Sequence, residues 1–100
     1  MNISTTAILE TSARRLFPDR NLDQVFAELL LERARKNLIR YQAMARRFEA
    51  KYDQSFPVFR NSVLNSAPSS EIEQDYFDWE LAVTGIEDME QEIKHLSALG

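Results

Sequence analysis

The sequence predicts an all-α protein built on one long antiparallel helical hairpin. Three observations predict it. Glycine and proline are scarce, two and three in 100 residues, and neither occurs between Pro18 and Pro57. Apolar residues recur at alternating spacings of four and three along two long segments, the heptad signature of packed helices. The first of these segments is dominated by Leu, Ala, Arg, Glu and Gln, all strong helix formers.

The elements follow in chain order. Residues 1–7 alternate weakly, with Ile3, Thr5 and Ala7 against Asn2, Ser4 and Thr6, a strand signal over few positions. From about Thr6 to Phe17, Leu9, Ala13, Leu16 and Phe17 share one helical face, and Pro18 ends that helix. Asn21 is a good N-cap, with Gln24 at the third helical position completing a capping box. A single helix is predicted from Leu22 to about Tyr52, roughly 45 Å long at 1.5 Å per residue. Its seam is Ala27, Leu31, Ala34, Leu38, Tyr41, Ala45, Phe48 and Tyr52. A second apolar face, Leu22, Val25, Phe26, Leu29 and Leu30, exists only in the first turns, and a helix apolar on two sides needs two packing partners there.

Asp53-Gln54-Ser55 interrupts the pattern. Ser55 is placed to cap a short helix over 55–64 that carries Pro57 in its first turn and Phe56, Phe59 and Val63 on its apolar face. Residues 65–70 read as a loop. Ser70 with Glu73 forms a capping-box signature for a last helix over 70–97, whose first-turn carboxylates suit the helix dipole. The last seam is Ile72, Tyr76, Trp79, Val83, Ile86 and Ile93, with Met89 and Leu96 joining near the end. Gly85 inside this helix costs about 1 kcal/mol relative to alanine, which a close approach of the neighbouring helix would explain.

These elements form one domain of 100 residues: an N-terminal arm and short helix over 1–20, a basic helix over 21–52, the short helix and the acidic helix. Aligning the seams places Trp79 beside Ala45, Tyr76 beside Phe48, Ile86 beside Leu38 and Ile93 beside Leu31, with Arg46 near Asp78. Phe48, Tyr76 and Trp79 are expected in the core. Leu29 and Leu30 are expected to be shared between the first helix and a second protomer, giving a dimeric helical bundle.

Charge is unevenly divided. Residues 1–51 hold ten Lys/Arg and six Asp/Glu, while residues 52–100 hold two and ten. Cysteine is absent, which excludes a disulfide scaffold, a thiolate zinc site and a cysteine nucleophile. No apolar run approaches the ~20 residues of a membrane span, and the segment MNISTTAILE has no secretory pattern. A cytoplasmic protein without cofactor is expected.

Little chemistry is on offer. His95 sits in the last turn of the last helix, where a cation suits the dipole. Glu92 and His95 have the Glu-x-x-His spacing of di-iron bundles, so a metal-binding helical-bundle enzyme is one alternative; Ile93 and Leu96 point to the core instead. The acidic residues Glu73, Glu80 and Glu87 repeat every seven positions and read either as flanking charges of the hairpin or as a stripe for a basic partner. Glu80, Glu87, Asp88 and Glu92 are the candidate partner-binding residues. The basic residues Arg14, Arg15, Arg20, Arg33 and Lys36 are candidates for phosphate contact, which makes a DNA-binding regulator the other alternative. A ribbon-helix-helix reading, with Asn2, Ser4 and Thr6 facing DNA, fits the order of the first elements but not the length of the second helix.

Two stretches carry a resemblance. Phe48-Glu49-Ala50-Lys51-Tyr52 followed by Ser55-Phe56 and Phe59 is one; Asp75-Tyr76-Phe77-Asp78-Trp79-Glu80 with Ala82-Val83 is the other. In this order they resemble segments of small all-helical prokaryotic proteins, many from cyanobacteria and archaea, described as antitoxin-like and encoded beside a toxin. The resemblance spans about residues 21–96. It implies a non-enzymatic protein that binds and silences a partner protein, with no catalytic residues.

Overall fold

The computed structural model describes residues 3–99, and in it the chain is all-helical. Its elements are α1 (Ile3–Leu16), α2 (Leu22–Tyr52), α3 (Phe56–Leu64) and α4 (Ser70–Ser97). α2 and α4 form the hairpin, α3 packs on α4 at the closed end, and α1 packs on α2. The result is a rod of 57 × 27 × 18 Å. Its radius of gyration is 19.7 Å, against about 13 Å for a compact domain of this length.

The N-terminal segment differs from expectation. α1 begins at Ile3, so Ser4, Thr5, Thr6 and Ala7 are helical and the weak alternation does not form a strand. Three alternating positions cannot outweigh the helical continuation through Leu9, Ala13 and Leu16. This removes the ribbon-helix-helix reading; Asn2 lies outside the described residues. The capping of α2 follows the sequence, with Gln24 N–H donating to Asn21 Oδ1 and Asn21 N–H to Gln24 Oε1, both at 2.9 Å. Asp53 ends α2 in the left-handed region, φ 50°, a conformation that Asp adopts more readily than most residues.

Two caps are corrected. Ser55 precedes α3 without a side-chain capping bond. α4 is capped by Ser69, whose hydroxyl accepts from the Ile72 N–H, so Ser70 is already the first helical residue. Adjacent serines make the two positions indistinguishable by residue type alone.

The core is concentrated at the closed end. Trp79 has no exposed surface. Its indole stacks on Phe48 and Tyr52 at centroid distances of 5.7 and 6.3 Å, and meets Phe56 and Phe59 of α3 at 5.4 and 5.0 Å. Ala45, Phe59, Tyr76 and Ala82 complete the buried cluster. The indole N–H finds no hydrogen-bond partner among the described residues and lies among aromatic rings.

Ala45 and Trp79 fall in one buried cluster, as the alignment of the apolar seams expects, but the ring contacts are offset from it. Phe48 stacks on Trp79, not on Tyr76, and Tyr76 turns to Phe56 at 6.0 Å. Arg46 makes no ion pair with Asp78 or any other described residue. The cause lies in small residues outside the apolar seam. Ala82 and Gly85 are both buried, and the Tyr41 ring lies so close to Gly85 that an added Cβ would stand 2.7 Å from its carbons. A tyrosine ring that packs on glycine backbone sets the slide of one helix along the other.

Two consequences are measurable by urea denaturation. Gly85→Ala lowers stability by about 1–2 kcal/mol, because the steric conflict outweighs the helix-propensity gain of about 1 kcal/mol. Trp79→Ala costs about 3–5 kcal/mol; Trp79→Phe costs far less, since the indole N–H makes no bond to lose.

Candidate functional site

The two motifs converge on one place, the neck of the hairpin. The last turn of α2 and the first turns of α4 meet there, and their polar groups interlock. Lys51 Nζ donates to Asp75 Oδ2 at 2.6 Å and to Glu71 Oε1 at 3.2 Å. The Tyr52 hydroxyl donates to the same Asp75 oxygen at 2.5 Å. Arg60 Nε reaches the Tyr76 hydroxyl at 3.3 Å, and that hydroxyl donates to Glu80 at 2.8 Å. Lys51 also lies 5.5 Å from the Tyr52 ring centroid.

These contacts shift protonation equilibria in one consistent sense. The hydrogen bond from Lys51, then that from Tyr52, holds Asp75 below the usual carboxylate range. Asp75 and Glu71 raise Lys51 above its ordinary value. Desolvation, followed by the bond to Asp75, raises Tyr52. A depressed carboxylate stabilises the fold above its unfolded pKa and loses that contribution as pH falls through the folded value. A raised lysine or tyrosine contributes below its unfolded pKa and loses that contribution as pH rises. The neck is therefore tightest between about pH 4 and 10. Every group in it is committed to another, which makes it a latch and leaves no free nucleophile or base.

Outside the neck, the charges of the hairpin are not mutually neutralised. The described residues contain four ion pairs: Arg20–Glu28, Lys36–Glu32, Lys51–Glu71 and Lys51–Asp75. Of these four, only the Lys51 pairs join the basic helix to the acidic one. Glu80, Glu87, Asp88 and Glu92 are all exposed on α4 and make no ion pair among the described residues; Glu80 accepts the Tyr76 hydroxyl. Between them α4 exposes Phe77 and Leu81, at 54% and 56%. These two are four residues apart and share one side of the helix with Gln74, Thr84 and Asp88. Sequence reasoning missed them because it followed the seam; the available signal was an apolar pair at i, i+4 lying off that seam.

The basic candidates divide. Arg20 and Lys36 are tied to Glu28 and Glu32. Arg14, Arg15 and Arg33 are exposed, as are Arg35, Arg40, Arg46 and Arg47, and none of these seven forms an ion pair among the described residues. Phe48, Tyr76 and Trp79 lie in the aromatic core, whereas Leu29 and Leu30 are 45% and 55% exposed.

An open groove of about 990 Å³ lies at the other end of the rod. It is bounded by Ala27, Leu31 and Arg35 of α2, by Arg20, and by Leu96 and Leu99 at the end of α4. Glu92 and His95 do not line it. Among the described residues no group of three or more carboxylate or imidazole side chains is placed to hold a metal ion. No helix of the described residues is long and apolar enough to cross a membrane. No family profile matches the chain, and neither a curated protein nor a solved structure matches it.

Asp75→Asn tests the latch. The variant should melt several degrees below the wild type at neutral pH. The two melting curves should start to converge as pH falls below about 4, the ordinary carboxylate value, and meet only below the depressed value at which folded Asp75 takes up its proton.

Proposed function

We propose that this protein is a non-enzymatic interaction module that binds and neutralises a partner protein, the antitoxin-like role its two aromatic motifs resemble. The reading is carried by one observation. α4 presents an outward face on which Phe77 and Leu81 stand among carboxylates that form no ion pair among the described residues. A pair of apolar anchors within a charged rim is the usual anatomy of a protein-recognition patch. The sign of the rim selects a partner with a basic surface, and an acidic helix laid over a basic functional surface would occlude it.

The partner to test is the product of the adjacent gene. Asp88→Lys with Glu92→Lys should leave the melting temperature nearly unchanged, since exposed charges contribute under about 1 kcal/mol each. The same change should slow association roughly tenfold at low salt and less at high salt, where screening is stronger. Phe77→Ser with Leu81→Ser should weaken the complex by roughly tenfold or more at any salt concentration. Unaltered association by both variants would assign the α4 carboxylates to solubility alone.

A second reading, a DNA-binding regulator, rests on the unpaired arginines of α2: Arg33, Arg35, Arg40, Arg46 and Arg47. Titration of duplex DNA against salt separates the two, because phosphate contacts give a steep salt dependence.

A further inference from the structure

We propose that the open end of the rod is a self-association surface, occupied by a second copy of this chain. The inference is independent of the partner bound by α4. α2 is apolar around most of its first turns, and the fold covers only part of that surface. Val25 is buried at 5% exposure, and Ala27 and Leu31 are half-buried. Phe26, Leu29 and Leu30 stay 51%, 45% and 55% exposed, and they are neighbours on one side of the helix. α1, joined to these turns by residues 17–21 and packed on α2, leaves Ile8, Leu9 and Leu16 at 65%, 44% and 73%.

Area and charge together name the occupant. The chain exposes 7697 Å², whereas a compact monomer of this mass exposes about 5,800 Å². The excess is more than twice the ~800 Å² that each partner gives to a standard interface. Residues 3–36 carry six Lys/Arg and five Asp/Glu, and residues 86–99 at the adjoining end of α4 carry one and four, so this end holds seven basic and nine acidic groups and two copies repel only weakly. An exposed apolar patch bordered by charges of both signs suits a homodimer interface better than one adapted to a partner of a single charge sign. Each copy also brings cations, Arg14, Arg15 and Arg33, and carboxylates, Glu90 and Glu92 of α4, that form no ion pair among the described residues. A twofold arrangement can set the cations of one copy against the carboxylates of the other.

Sedimentation equilibrium of the full chain across the micromolar range should report a dimer. Leu29→Glu with Leu30→Glu should report a monomer that keeps its helical circular dichroism. Cross-linking guards against loss of folding in that variant. The chain has no cysteine, so an introduced one reports alone. Under mild oxidation Leu30→Cys should form a disulfide-linked dimer at least roughly tenfold faster than Val58→Cys, because association raises the local thiol concentration only at the interface. Val58 lies on α3 at the far end and is 55% exposed, so access to oxidant is comparable. A wild-type chain that stays monomeric at high micromolar concentration overturns the proposal, as do equal cross-linking rates at the two positions. A monomer that instead buries Leu30 against the adjacent gene's product also overturns it.

Discussion

Burial of the Trp79 indole is the constraint on which the remaining architecture depends. It draws Phe48 and Tyr52 from the end of α2 and Phe56 and Phe59 from α3 onto one ring system. A single side chain thus joins three helices at the closed end. The connection through Asp53 and α3 then has one length that fits, and the Lys51–Asp75–Tyr52 latch forms because the indole has already set the distance between its halves. Polar contacts at the neck sharpen a geometry that aromatic burial creates.

The fold was legible because its signals are long and redundant. The α2 seam runs from Ala27 to Tyr52, and Asn21 and Gln24 mark its start with a cap that forms as read. The offset in register was not legible, and for a definite reason. Apolar pattern identifies which large side chains seek cover, while the axial slide is set by where two backbones come closest. That point is Gly85 beneath Tyr41, with Ala82 nearby; the sequence marks Gly85 as a close approach but not which residue of α2 meets it. Short segments failed similarly. Three alternating positions suggested a strand where the chain is helical, and two adjacent serines hid which one caps α4.

The candidate surfaces were legible in charge but not in anchor. The division between a basic and an acidic half is plain in composition, and the scarcity of ion pairs between α2 and α4 means that the fold leaves most of that division exposed. Phe77 and Leu81 were missed because they lie off the seam, where their own i, i+4 spacing is the one signal. The apolar first turns of α2 stood out early, since five large side chains on a second face exceed what one neighbouring helix can cover.

The uneven distribution of packing along the rod also orders its motions. Among the described residues every aromatic ring pair and the whole latch lie at the closed end, whereas α1 buries almost no apolar side chain and the first turns of α2 rest on Val25 and the half-buried Leu22, Ala27 and Leu31. Backbone amides near Trp79 should exchange with solvent only through global unfolding, and those of α1 through far smaller openings. The molecule therefore unzips from one end. A protease that samples such openings would trim the free chain from its N-terminal side and stall before the aromatic neck, and whatever covers the open end would set the lifetime of the intact protein.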